Sequence, residues 1–329
     1  MNLDALDRAI LERLQVGFPL TSQPFALLGE ELGIGEAEAL ARVRSLKEAK
    51  VIRHIGAIFD ARRLGYQSTL GAFHVIDSAL ERVAARVSAH PGVSHNYARP
   101  HHYNLWFTLA APPGLEVGDE IRRLACRSSV DDWLSLPALR MFKLRTHFGL
   151  GINGPSPAAD EPDKTGSKNR RFSRADIPYV GALQQDLPLV PRPFAEIAEG
   201  QGISEERLLE RARDLESAGI MRRFSVALRH RRVGYEANGM ACWVVPEPRI
   251  EEVGRFAAGY TQVSHCYQRP AHPPLWPYNL FTMIHGQTRH AVESIVASIA
   301  RRTAIQDYEV LYSIREFKKE RVRYFEEER

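Results

Sequence analysis

The 329-residue chain carries the same pattern twice. Pro24-Phe25-Ala26 recurs as Pro193-Phe194-Ala195, Gly33-Ile34 as Gly202-Ile203, Leu46 as Leu215, Arg53 as Arg222 and Gly65-Tyr66 as Gly234-Tyr235, all at one offset. The offset widens across the segment His272-Pro273-Pro274-Leu275-Trp276-Pro277, so the second half holds a Pro-rich insertion. Residues 153–175, rich in Pro, Gly, Ser and Lys, have a linker's composition and separate the copies. Whatever one half folds into, the other folds into as well.

Within each half the hydrophobic period changes once. Leu3, Leu6, Ile10, Leu11 and Leu14 make a helical stripe, with Asp4 and Asp7 in its first turn. A short helix follows Pro24, and a third, from Glu36, puts Leu40, Val43 and Leu46 on one face. The Gly33-Ile34-Gly35 turn between them gives a helix-turn-helix, and Val51–Phe59 reads as a strand pair or wing. From there strands and helices alternate as βαββαβ: Thr69–Ile76, Ala79–Ala89, Val93–Tyr97, Leu105–Ala110, Glu116–Arg127 and Trp133–Phe142, repeated through Tyr308–Phe317. The expected fold class is α+β, a tandem duplication of winged helix-turn-helix plus ferredoxin-like domain. Its domains span residues 1–62, 63–152, 176–231 and 232–329 around the linker.

One repeated stretch is polar. Val93–Pro100 (VSHNYARP) recurs as Val263–Pro270 (VSHCYQRP), and each is followed by Asn-Leu-aromatic, Asn104-Leu105-Trp106 and Asn279-Leu280-Phe281, with Thr108 and Thr282 close behind. A duplicated core strand keeps its apolar residues and has no reason to keep a His, a Tyr and an Arg in register. These side chains transfer protons, ligate metals and hold carboxylates. His95, Tyr97, Arg99, His265, Tyr267 and Arg269 therefore head the candidate site. Neighbours on a strand point to opposite faces, so at most one of His101 and His102 is expected to face the pocket.

Composition narrows the class. No apolar run is long enough to span a bilayer, and the acidic start Met1-Asn2-Leu3-Asp4 lacks a signal-peptide core. Three cysteines without a C-x-x-C pair point to a reducing cytoplasm and away from a disulfide scaffold or zinc site. A net charge of +4 suits either nucleic acid or an acidic small molecule. No P-loop, G-x-G-x-x-G or H-E-x-x-H motif is present, which removes nucleotide and zinc-protease chemistry.

The opening Leu3-x-x-Leu6-Asp7-x-x-Ile10-Leu11-x-x-Leu14 and the stretch Arg42-Val43-Arg44-x-Leu46-x-x-Ala49-x-Val51-Ile52 resemble the Lrp/AsnC transcription regulators. The tips of the would-be recognition helices argue against DNA. Gly35-Glu36-Ala37-Glu38 and Ser204-Glu205-Glu206 place carboxylates where phosphates would lie. A second resemblance fits the polar motifs better. Val51–Ala57, Leu64-Gly65-Tyr66, Val93–Tyr97, Ile220–Phe224, His230-Arg231, Cys266–Pro270 and Trp276–His285 are similar to siroheme decarboxylase, a family of Lrp-like proteins with two related subunits, separate or fused.

The resemblance implies removal of CO2 from two acetate side chains of siroheme, giving didecarboxysiroheme in haem d1 or alternative haem biosynthesis. It implies siroheme as substrate and no separate cofactor, because the conjugated ring is itself the electron sink. His265, Tyr267, His95 and Tyr97 are then the proton-donor candidates. Substrate-binding candidates are Arg53, His54, Arg99, His101, Tyr103, Asn104, Arg222, Arg223, Arg231, Arg269, His272, Trp276, Tyr278 and Asn279. His272 is also the candidate axial ligand to the substrate iron. The second half is favoured for the reacting carboxylate, with the insertion as a lid. Expected partners are siroheme and either a second copy of the chain or a paralogous decarboxylase subunit. A DNA-binding regulator and a non-catalytic tetrapyrrole carrier are the rival readings.

Overall fold

The computed structural model describes residues 3–144, 171–228 and 237–326. The linker expected at 153–175 lies almost wholly outside the described residues, and Arg231 lies outside them too. In chain order the first half runs α1 (Ala5–Val16), α2 (Pro24–Leu32), α3 (Glu36–Glu48), β1 (Ile52–Phe59), β2 (Gln67–Phe73), α4 (Leu80–Ala89), β3 (Val93–Ala98), β4 (Leu105–Ala111), α5 (Val117–Ser128), β5 (Trp133–Pro137) and β6 (Arg140–Leu144). The second half runs α6 (Ile177–Leu183), α7 (Pro193–Glu199), α8 (Glu205–Ser217), β7 (Met221–Leu228), β8 (Ala237–Trp243), α9 (Ile250–Ala258), β9 (Val263–Gln268), β10 (Leu280–Gly286), α10 (Arg289–Thr303), β11 (Tyr308–Tyr312) and β12 (Arg315–Lys319).

The chain divides into two compact units, each built from both halves. The first gathers α1–α3, β1, α6–α8 and β7. Pro at the start of α2 and Gly33 in the left-handed region at its end set the limits of that helix. Asp4 caps α1 in a reciprocal capping box with Asp7. The segment the sequence leaves as a strand pair or wing is one strand, and its partner is its own duplicate. β1 and β7 run antiparallel with Gly56 opposite Ser225, the equivalent position of the second copy. Phe18, Phe194 and Phe224 meet beneath this ribbon at centroid separations of 5.4 to 6.4 Å. Arg44 donates to the Leu189 carbonyl and Arg213 to the Leu20 carbonyl, so these equivalent, exposed helix cations each tie one copy to the other.

The second unit holds two five-stranded antiparallel sheets, ordered β5-β2-β4-β3-β12 and β11-β8-β10-β9-β6. Each is a ferredoxin-like sheet with one strand added from the other half. The single strands expected at Trp133–Phe142 and Tyr308–Phe317 each break in two. The first piece stays in its own sheet, and the second crosses to pair with β9 or β3. Equivalent contacts fix both crossovers. Lys143 caps α9 through the carbonyls of Ala258 and Tyr260, and Lys318 caps α4 through those of Ser88 and His90. Phe142 packs onto Gly254, where any Cβ would lie 2.5 Å from its ring.

Helices cover one face of each sheet, giving one apolar core per half. A third core, with Ala72, Leu134, Leu136, Met240, Cys242 and Leu311 among its residues, draws on the opposite faces of both sheets. That inter-sheet core is where the polar motifs converge.

Candidate active site

The alternation of β3 decides which motif residues look inward. Asn96 faces the helices, donating to the Ala84 carbonyl and to Ser88. Cys266, its counterpart on β9, contacts the Gly254 carbonyl of α9. The alternate residues His95, Tyr97 and Arg99, and likewise His265, Tyr267 and Arg269, therefore share the inter-sheet face. Tyr97 lies opposite Trp106 and Tyr267 opposite Phe281, both members of the third core. Thr108 and Thr282 are not equivalent. Thr282 faces the helices and accepts from the Trp243 indole, while Thr108 lies opposite His95.

Both strands carry a β-bulge at the same place. Ser94 and Ser264 are the extra residues, each beside the motif histidine. The bulge lets the serine hydroxyl reach the Nδ1 of that histidine, at 2.9 Å for Ser94–His95 and 2.7 Å for Ser264–His265. In the second half the chain continues. Ser264 Oγ lies 2.6 Å from His285 Nε2, and His285 Nδ1 lies 2.5 Å from Asn238 Oδ1. Burial, with the Arg269 charge adding to it, holds the His265 imidazole down to a pKa of about 4.

Arg99 and Arg269 are the most unusual groups in the unit. Arg99 donates to the Leu311 carbonyl and Arg269 to the Leu136 carbonyl, each reaching the edge strand of the other half. Their Nε atoms are buried without a hydrogen-bond partner. Among the described residues, neither guanidinium has a carboxylate within ion-pair distance. Burial pushes both down to about 10, which leaves them cations at neutral pH. Arg99 lies over the Tyr97 ring at 5.8 Å and Arg269 over the Tyr267 ring at 5.0 Å. A buried cation without an anion is costly unless something supplies the charge.

The remaining candidates separate by environment. His101 turns inward, with Nε2 3.3 Å from Glu309 and its ring edge-on to Trp276 at 5.3 Å. His102 turns outward to Asp132 and stacks on His74 at 4.2 Å. Tyr278 donates to Glu309 at 3.2 Å, and burial followed by the Glu309 charge pushes its phenol up to about 12. Tyr103 is buried and is pushed up to about 12 by burial and by Asp132. Trp276 is fully buried among Tyr103, Trp106, Tyr278 and Phe281, so the insertion is anchored in the third core by this ring, while residues 272–275 are exposed. His272 is exposed, and its backbone bridges that of Trp276.

Asn104 and Asn279 are engaged elsewhere. The Oδ1 of Asn104 accepts the Val75 N–H at 2.9 Å and its Nδ2 donates to the Val75 carbonyl at 2.7 Å. Asn279 does the same with Val245 at 2.9 and 2.8 Å. Both amides clamp strand ends, the places that the structure gives these two substrate-binding candidates. Arg53, His54, Arg222 and Arg223 belong to the helix-turn-helix unit, whereas the His-Tyr-Arg motifs belong to the other. There Arg222 pairs with Asp60 at 2.8 Å, and His54 Nδ1 lies 3.6 Å from Asp186. The residues missed by sequence reasoning are Ser264, His285, Asn238 and Glu309. For His285, Asn238 and Glu309 the signal was the breaking of the repeat, since strand register puts Ala110 at the place of His285, Ser68 at that of Asn238 and Leu134 at that of Glu309, whereas Ser264 recurs as Ser94.

Residues 63–143 and 232–318 match the AsnC-like ligand binding domain, and residues 7–53 and 180–222 match the siroheme decarboxylase NirDL-like HTH domain. The chain is 44% identical over 321 residues to the siroheme decarboxylase of Hydrogenobacter thermophilus, covering 97% of this chain and 95% of that one. It is 41% identical to the siroheme decarboxylase beta subunit of Methanosarcina barkeri, over 46% of this chain and 99% of the subunit. Among solved structures, siroheme decarboxylase NirDL aligns with a TM-score of 0.76 and 41% identity, covering 99% of this chain and 96% of that one. A co-complex of that enzyme with an iron-uroporphyrin III analogue aligns with the same TM-score and coverage at 40% identity.

Proposed function

The chain belongs to the siroheme decarboxylase family, and from that premise we propose that it removes CO2 from two acetate side chains of siroheme to give didecarboxysiroheme. The observation that carries this reading is the pair of guanidiniums, Arg99 buried and Arg269 partly buried, whose Nε atoms are buried and which have no carboxylate partners among the described residues. A polycarboxylated macrocycle supplies the missing anions, and charge-assisted hydrogen bonds are the strong ones. Each arginine shares its strand face with a tyrosine and a histidine, so a bound carboxylate lies near a proton donor.

In the reaction the bond between the acetate methylene and its carboxyl carbon breaks. CO2 leaves, the electron pair passes into the conjugated ring, and a proton completes the methyl group. His265 is the proposed acid. Unliganded, its imidazole is neutral at pH 7. An arriving carboxylate favours the charged form, so substrate and proton enter together. His95 and Tyr97 form the equivalent set in the first half. No separate cofactor is needed for this chemistry, and the iron belongs to the substrate. Because the relatives include separate alpha and beta subunits, we read the two halves as the fused counterparts of such a pair.

The test is anaerobic incubation of the protein with siroheme, followed by mass spectrometry of the extracted pigment. Loss of two CO2 units per pigment supports the reading. Tight binding without a mass change would make the protein a carrier, and absence of binding would sink both.

A further inference from the structure

The two copies of the motif differ where the repeat is broken. In the second half, Asn238, His285, Ser264 and His265 form a continuous hydrogen-bonded chain at 2.5, 2.6 and 2.7 Å. In the first half, Ser94 and His95 remain, but Ala110 and Ser68 replace the outer members. The acceptor at Asn238 Oδ1 sets the direction of the second-half chain. His285 Nδ1–H donates to it, leaving His285 Nε2 to accept from the Ser264 hydroxyl. The Ser264 oxygen then accepts from His265 Nδ1–H.

This direction has a consequence for acid catalysis. His265 keeps its Nδ1 proton in both the neutral and the cationic form, so the proton that comes and goes is the one on Nε2. An imidazole fixed in one tautomer and one ring orientation presents the same nitrogen to the substrate in every turnover. The bulge at Ser264 makes the geometry, because it turns a neighbouring hydroxyl toward His265.

We propose that Ser264, His285 and Asn238 are positioning residues that hold His265 with Nε2 toward the substrate. The second half thereby fixes its acid through a relay whose outer places are held by Ala110 and Ser68 in the first half. This rests on the decarboxylase reading above. The step itself is balanced as before: the Nε2 proton goes to the methylene carbon as CO2 departs, and Ser264 and His285 give up no net proton.

The experiment compares wild type, His285→Ala and His285→Gln with siroheme under anaerobic single-turnover conditions. Pigment affinity is read by absorbance titration, and the His265 tautomer by nitrogen-15 NMR. The alanine variant should slow carbon dioxide loss about 10- to 100-fold, the usual effect of losing an outer-shell partner. Its pigment affinity should change less than about threefold, within the range of a site left intact, and it should accumulate singly decarboxylated pigment. Gln offers an acceptor to Ser264 and a donor to Asn238, so it should restore most of the rate and the Nδ1–H tautomer. Equal rates in wild type and both variants, or an unchanged His265 tautomer in His285→Ala, overturn this inference alone. A wild-type protein that binds siroheme but releases no CO2 overturns the decarboxylase reading and this inference with it. If His285→Ala does not fold, Ser264→Ala takes its place, since it removes the hydroxyl that meets His265 Nδ1: slowed carbon dioxide loss with a mixed His265 tautomer supports the inference, and wild-type speed overturns it.

Discussion

Arg99 and Arg269 occupy equivalent positions in the two halves, and each crosses the duplication to donate to an edge-strand carbonyl, at Leu311 and Leu136 respectively. Neither carbonyl can neutralise the charge it receives. The pair is held in place by the fold without being satisfied by it, which is the arrangement expected of a site waiting for an anion.

Replacing Arg269 with Met removes a buried cation together with one hydrogen bond to a backbone carbonyl. The two effects oppose each other, since an unpaired carbonyl costs about 1–3 kcal/mol and a buried charge costs several. Thermal stability should therefore stay near wild type or rise, while siroheme affinity falls about 10-fold or more from loss of a charge-assisted bond. Calorimetry and absorbance titration on the same sample check both. A variant that loses stability and binding together would mean that Arg269 is structural.

His265 makes stability depend on pH in a defined window. Its folded pKa, about 4, lies below the unfolded value near 6.5. Between these values the unfolded chain binds more protons, so this group's contribution is complete above about pH 6.5 and is lost as pH falls toward 4. His265→Gln should flatten that part of the stability curve. Siroheme binding at pH 7 should also take up a proton from a weakly buffered solution, and the Gln variant should take up less.

Asn279→Ala should act on stability and leave binding alone. It removes both hydrogen bonds to Val245, leaving that backbone's groups without partners, for a loss of about 1–3 kcal/mol in denaturant unfolding. Asn104→Ala should behave alike through Val75. A large loss of pigment affinity at unchanged stability would return these residues to the substrate-binding set.

Trp276→Ala should be among the most damaging single changes in the second unit. The ring is fully buried against five aromatic neighbours, and truncation of a buried Trp costs about 3–5 kcal/mol. Trp276→Phe should cost far less, because it keeps most of the packing and removes an indole N–H that has no partner. Unfolding midpoints of the two variants, measured side by side, check the order.

The exchanged strands make each half depend on the other. Separately expressed halves, divided within residues 153–175, should each be poorly folded alone and should assemble one-to-one when co-expressed. β6 completes the second sheet and β12 the first. Size-exclusion chromatography of the co-expressed pair tests this. Independent folding of either half would show that the crossover is dispensable.

Much of the molecule follows from the sequence alone. The repeat, the change from helical to strand period and the turn residues around Gly33 and Gly202 determine the helix-turn-helix and βαββαβ elements of both halves. Alternation along Val93–Arg99 and Val263–Arg269 puts His, Tyr and Arg on one face, because side chains on a strand alternate regardless of what the strand packs against. These are local or periodic properties, and they are written in the order of residues. Tertiary structure decided the pairings. A strand's composition says nothing about whose edge it joins, so β1 against β7 and the crossing of β6 and β12 become legible only once both copies are folded. It also separated look-alike polar residues. Asn279 and Arg269 sit in the same motif region, yet one amide is satisfied by the Val245 backbone while the other group's charge remains unanswered. The Asn238–His285–Ser264–His265 chain belongs to the same class, because three strands and a bulge must be assembled before its four side chains meet. Hydrogen bonds of this kind depend on distances that only the packed sheet sets.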